Sequence, residues 1–153
     1  MLYLAALLIG VVAGLRTMTA PAAVSWAAHL GWIDLSGSPL AFMGYAWTPW
    51  VFTVLALAEF VGDQLPSTPS RTVPAQFGAR LISGAFCGAC LGAAGGFLVA
   101  GAICGAIGAV IGTLGGRAAR ARGAAAFGRD LPAALIEDAV AVVGAVLIVV
   151  LLR

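Results

Sequence analysis

The chain has 153 residues, 62% of them hydrophobic and 9% charged, with a formal net charge of +2. An average soluble domain is roughly a quarter charged, and no water-soluble fold of this length could hide so much apolar surface. The composition excludes a soluble enzyme or a nucleic-acid-binding module; it predicts an all-α membrane protein, a single polytopic domain over residues 1–153 with about five transmembrane helices at ~20 residues each.

The first apolar segment, from Leu2 to about Leu30, would be roughly 45 Å long as one helix, against a hydrocarbon core of ~30 Å. It lacks the positive start of a secretory signal and is expected to be retained as the first helix. In its middle stand Gly14, Arg16, Thr17, Thr19 and Pro21. A glycine stop followed by a threonine cap and a proline in the next first turn predicts a helix broken near mid-membrane, with residues 14–19 leaving α-helical geometry.

Residues 31–48 carry Asp34, Ser36, Ser38 and Pro39, and all four tryptophans (Trp26, Trp32, Trp47, Trp50) lie in or beside them. This marks one water interface as an aromatic belt. A second helix is expected over 49–65, then a non-helical polar loop from Leu65 to Pro74. Helices over 78–97 and 100–116 follow. In these, Gly84, Gly88, Gly92 and Gly96 recur every four residues, as do Gly101 with Gly105, and Gly108 with Gly112 and Gly116. Small residues at that interval form a groove that admits a second backbone, so these faces predict tight packing or a homodimer. A basic loop holding Arg117, Arg120, Arg122 and Arg129 is expected next, and a last helix from Asp130 to about Leu152. With five crossings, the distribution of arginines places the loop side in the cytoplasm of a bacterial inner membrane, the N-terminus inside and the C-terminus outside.

Ionisable residues inside a membrane cost several kcal/mol unless paired or hydrated, which makes them candidates for function. Arg16, in the predicted break, is expected to meet Glu59, with Thr17 and Thr19 beside it. Asp63 lies one turn beyond Glu59 on the same face. Arg80, Glu137 and Asp138 complete a polar site. The half-helix N-terminus with Arg16 outlines a site for a small anionic solute or ion, and Glu59 or Asp63 one for a proton or cation. A small transporter or channel-like protein is the leading reading. An Arg16–Glu59 pair that only locks the bundle is the bland alternative.

The loop residues Ser67, Thr68, Ser70 and Arg71 suggest a phosphate or lipid headgroup, hence a second alternative, an enzyme acting on a lipid phosphate. Cys87, Cys90 and Cys104 have no accompanying fourth ligand, and neither a metal nor a cofactor is expected. The partners expected are the lipid bilayer, a small solute and a second copy, with no nucleic acid. A faint echo pairs Gly14-Leu15-Arg16 with Gly78-Ala79-Arg80, and Ala56-Leu57-Ala58-Glu59 with Ala134-Leu135-Ile136-Glu137. It suggests duplicated halves.

The stretches AGLRTMTAPAAVSW (13–26), LAEFVGDQLPSTPSRT (57–72), GARLISGA (78–85) and LPAALIEDAVAV (131–142) resemble a family of small bacterial integral-membrane proteins catalogued as a domain of unknown function. The resemblance covers the membrane charges and implies no particular substrate.

Overall fold

The computed structural model describes residues 1–65, 70 and 72–153. It contains six α-helices: α1 (Leu2–Leu15), α2 (Thr19–His29), α3 (Thr48–Asp63), α4 (Pro74–Ala94), α5 (Leu98–Phe127) and α6 (Asp130–Val150). A short 3-10 helix covers Ala41–Gly44 in the connection before α3. There is no strand among the described residues. The 21 residues of α4, 30 of α5 and 21 of α6 make these helices long and apolar enough to cross a membrane. Their outward faces remain apolar: Ile103, Ile107 and Ile111 on α5 and Val140, Val143 and Val146 on α6 are all about half exposed. A chain in water would not leave such stripes uncovered. This is an α-helical membrane protein.

The predicted break is present. Arg16 has extended backbone, with φ −140° and ψ 117°, and residues 17 and 18 form a turn before α2 begins. Pro74, expected in the polar loop, instead opens α4, where its missing N–H costs nothing. The expected basic loop is helical as far as Phe127. Its arginine- and alanine-rich sequence contains no proline, so α5 continues until Gly128, whose φ of 67° ends it in the left-handed conformation that favours glycine.

Glycine contacts fix the arrangement. Gly84, Gly88 and Gly92 of α4 lie against Gly101 and Gly105 of α5, while Gly10 and Gly14 of α1 lie against α5 from Gly105 to Thr113. A Cβ on Gly84 would come within 2.6 Å of the Ala109 methyl, and one on Gly14 within 2.6 Å of the Thr113 amide nitrogen. α5 is thus held between α4 and α1 at backbone-to-backbone distance. Of the glycine faces predicted to serve tight packing or a homodimer, Gly84, Gly88, Gly92, Gly101, Gly105, Gly108 and Gly112 meet the chain's own helices, while Gly96 has open space around it.

The pairings also give direction. Residue numbers rise together along α1 and α5, and run oppositely along α4 and α5. Tyr3 stacks on Phe97 at the α4–α5 turn, with ring centroids 4.0 Å apart. Met1, Leu4 and Leu8 share a cavity with Ile148, Leu151 and Leu152 at the end of α6. Both termini therefore lie at one end of the bundle, away from Arg117, Arg120 and Arg122 in the last part of α5. The expectation had the N-terminus inside and the C-terminus outside. α2 then turns back. Its start meets Glu59 of α3, whereas Trp26 packs edge-on against Trp50 and donates to Thr53 Oγ1 at 3.1 Å, so α2 and α3 are antiparallel. The first segment is a hairpin of two half-helices with Arg16 at its tip. The expectation was one crossing by a helix broken near mid-membrane; at the break the chain instead reverses direction.

A branched side chain at Gly105 has no room, so Gly105→Val should cost about 3 kcal/mol or abolish folding. Gly115, with open space around it, should accept alanine with a gain of ~0.5–1 kcal/mol. Thermal unfolding in detergent reads both. Topology is checked separately by single cysteines at positions 2, 122 and 153 and a membrane-impermeant maleimide. Positions 2 and 153 should label from one side and 122 from the other.

Candidate functional site

α1 stops at Leu15, and the charged residues gather where it stops. Arg80 is six residues into α4 and Glu137 seven into α6, which places them ~10 Å from those helix starts at 1.5 Å per residue. The cluster therefore sits toward the basic end of the bundle rather than midway along it.

Arg16 is completely buried. Its Nε donates to Asp138 Oδ1 at 2.5 Å, and its Nη2 rests against the same oxygen. Nη1 lies 2.6 Å from Asp63 Oδ2, a charge contact outside hydrogen-bond angles. The ring of Phe60 faces the guanidinium, 5.8 Å from its carbon, which removes water from that side and adds a modest cation–π attraction. Asp63 is shared: its Oδ2 also accepts from Arg120 Nη1 at 2.5 Å. Arg120 continues outward, with Nε and Nη2 donating to the two oxygens of Asp130 at 3.0 and 2.6 Å. Glu137 Oε2 stands 3.6 Å from its Nη1. The ion pairs thus form a continuous chain, Arg16–Asp63–Arg120–Asp130, from a side chain with no exposure to one that is 60% exposed.

Glu59 does not pair with Arg16, contrary to the expectation. Its two oxygens accept the N–H groups of Thr17 and Met18 at 2.7 and 2.8 Å. Glu59 thus binds the turn just before α2, beside the helix start predicted to receive an external anion, and brings the chain's own negative charge next to the positive end of that helix. Arg80 approaches Glu59 at 4.0 Å and donates from Nη1 to the carbonyls of Gly14 and Leu15, both at 2.7 Å. Those are orphan acceptors at the end of α1. Ser83 Oγ donates to the Thr17 carbonyl at 2.6 Å, and Thr113 Oγ1 reaches Gly14 O at 3.3 Å. Thr19 is buried, and its hydroxyl has no hydrogen-bond partner among the described residues.

All eight predicted site residues (Arg16, Thr17, Thr19, Glu59, Asp63, Arg80, Glu137 and Asp138) are therefore in or beside one cluster. Arg120 and Asp130 belong to it too and were missed, because Arg120 was placed in a loop; the uninterrupted run of helix formers up to Gly128 was the available signal. Of the proposed headgroup residues, Ser67, Thr68 and Arg71 lie outside the described residues, and Ser70 contacts Thr72 at 3.0 Å. Asp34, at the far loop, accepts from the Ser36 hydroxyl and amide at 2.6 and 2.9 Å, which holds its carboxyl below the usual range. It takes no part in the cluster.

The family model described as a domain of unknown function (DUF4126) matches residues 3–151, and the chain belongs to that family. No curated protein and no solved structure matches it.

The pairings are separable by double mutants. Arg16→Met leaves the part-buried carboxylates of Asp63 and Asp138 without the cation they share and should cost about 3 kcal/mol. Asp138→Asn should restore much of this, since Asp63 keeps Arg120. Glu59→Gln puts an amide NH2 against a backbone N–H and should cost ~1–3 kcal/mol, a loss that Arg16→Met does not relieve. Melting temperatures of the four variants check the assignment; rescue of Glu59→Gln by Arg16→Met would reverse it.

Proposed function

We propose that this membrane protein is a small transporter or channel-like protein whose charged cluster moves protons. One observation carries the reading: the chain of ion pairs that links fully buried Arg16 to exposed Asp130. Charges are retained in a low-dielectric interior at a cost of several kcal/mol, and the carboxylates set along that chain, Asp138 and Asp63 within and Asp130 at the surface, are the groups a proton can occupy in turn, while the guanidiniums keep their own protons and serve as counter-charges. Arg16 is shared between Asp63 and Asp138. A proton on Asp138 leaves Arg16 bound to Asp63, and a proton on Asp63 releases both Arg16 and Arg120. Each loading step thus redistributes a guanidinium without leaving it unpaired.

A proton is favoured over an anionic solute. Glu59 already sets a carboxylate beside the start of α2, on the N–H groups of Thr17 and Met18, which repels a second anion there, and each carboxylate of the cluster is already directed at a guanidinium or an N–H. A proton can join such a group without displacing it.

The arrangement also supports duplicated halves. α1 and α4 are antiparallel, as are α1 and α6. Arg16 of the first half pairs with Asp138 of the second, and Arg80 of the second approaches Glu59 of the first. Reciprocal pairing across opposed halves suits a transporter built on an in-plane pseudo-two-fold axis. On this reading α3 to α6 cross the bilayer, α1 and α2 enter and return, and the arginines in the last part of α5 and at Arg129 place that end in the bacterial cytoplasm. Both termini are then external.

The test uses purified protein in proteoliposomes with a pH gradient and an internal pH-sensitive dye. The wild type should dissipate the gradient; Asp63→Asn and Asp138→Asn should each lose at least about tenfold, and Arg122→Gln, on an exposed face, should lose nothing. A second reading, a purely structural charge lock, draws on the two α1 carbonyls held by Arg80. Folded asparagine variants with unchanged flux, or a wild type that passes no protons, would establish it.

A further inference from the structure

The connection between α2 and α3, at the end of the bundle away from the charged cluster, closes around a cavity of about 570 Å³. That size is in the range of pockets that hold small organic molecules. Ala28, Ile33 and Leu35 supply apolar wall, and Asp34, Ser36 and Tyr45 its polar part. The wall is held by its own hydrogen bonds. Trp32 N–H donates to the Ala27 carbonyl at 2.9 Å, His29 Nδ1 to the Gly44 carbonyl at 3.1 Å, and Thr48 Oγ1 to the Phe42 carbonyl at 2.7 Å. Tyr45 and Trp47 are 65% and 79% exposed, which sets the mouth of the cavity at a membrane–water interface.

The charge around this cavity is one-sided. The chain has six acidic side chains, and five of them face an arginine or a backbone N–H within the cluster. Asp34 is the sixth, and among the described residues no cation pairs with it. Both donors that reach it, the Ser36 amide and hydroxyl, go to the same oxygen, Oδ1. They hold its carboxyl below the usual range, so it is ionised at neutral pH, and they leave Oδ2 open. No basic side chain lines the cavity. A guest there meets a carboxylate oxygen, a tyrosine and aliphatic carbon. A calcium ion would need about six oxygen ligands, which one half-used carboxylate does not supply.

We infer that this cavity binds an organic ammonium ion, with the cationic nitrogen between Asp34 Oδ2 and the Tyr45 ring and the hydrocarbon against Ala28, Ile33 and Leu35. The inference stands apart from proton movement, since none of these residues belongs to the ion-pair chain. A free solute and the headgroup of phosphatidylethanolamine both carry this chemistry.

The experiment is calorimetric titration of the detergent-purified protein with benzyltriethylammonium and, separately, with benzenesulfonate. The cation should bind once per chain and the anion not at all. Asp34→Asn should weaken cation binding about fivefold and Tyr45→Leu roughly threefold. Ala41→Trp, which fills the cavity from its wall, should abolish it. Repeating the titration with phosphatidylethanolamine present identifies the source: competition assigns the site to the headgroup ammonium, undiminished affinity to a free solute, and either upholds a cation site. Equal binding of the two probes, no binding of the cation, or a folded Asp34→Asn with unchanged affinity overturns the inference. If Ala41→Trp fails to fold, Asp34→Asn decides alone.

Discussion

A guanidinium with no access to water dictates the rest of this molecule. Arg16 ends a 14-residue helix inside the bundle, and the cost of desolvating it is met only by negative charge from other helices. Asp63 comes from the end of α3 and Asp138 from the second turn beyond the start of α6, so both helices must present those ends at one depth. The interruption of the first helix follows from the same need. A continuous helix through residues 14–19 would consume the N–H groups of Thr17 and Met18 in its own ladder, and Glu59 would then be a part-buried carboxylate without its two donors.

That arrangement is possible because the helices around α5 are thin. With glycines on both sides of the contact, α1, α4 and α5 approach until backbone meets backbone, as in lipid, where packing and not hydrophobic transfer holds helices together. The closeness has an electrostatic use. It brings the Arg80 guanidinium within 2.7 Å of two carbonyls at the end of α1 and Thr113 within reach of one of them. Carbonyls that a helix end leaves open are costly in a hydrocarbon setting, where no water replaces the lost bond. Glycine packing and charge placement are thus one design: a larger side chain in the seam would separate the arginine from the acceptors it serves.

The sequence made some of this legible and hid the rest for physical reasons. Gly14, Thr19 and Pro21 announced the break, and the rarity of charge in an apolar chain was enough to single out the residues that converge. Partner choice was not legible. Arg16 and Glu59 were matched by depth along separate helices, but depth does not tell whether a backbone N–H pair will compete for the carboxylate, and here it wins. The direction of α1 was hidden for a similar reason: length and hydropathy say how far a helix can reach, not whether it turns back. Glycine periodicity identified a contact face without identifying its occupant, which is the chain itself. The extent of α5 was missed because arginine suggested a loop, although arginine and alanine are good helix formers and the first true stop is Gly128.

Glu59 and Asp63 are one turn apart on α3, and each holds a different part of the break: Glu59 binds the turn before α2, and Asp63 neutralises Arg16. Because they stand on one face of one helix, any shift of α3 along its axis acts on both at once. Withdrawing α3 frees that turn and leaves Arg16 to Asp138 alone. Protonating Asp63 works in the opposite order, since it weakens the hold of Arg16 and Arg120 on α3 and leaves Glu59 as its main polar attachment to the α1–α2 tip. The charge state of one carboxyl and the position of one helix are therefore coupled through two contacts six ångströms apart along the axis, at ~1.5 Å per residue. Both contacts stand on one helix, so the position of α3 sets the attachment of the α1–α2 tip and the neutralisation of Arg16 together.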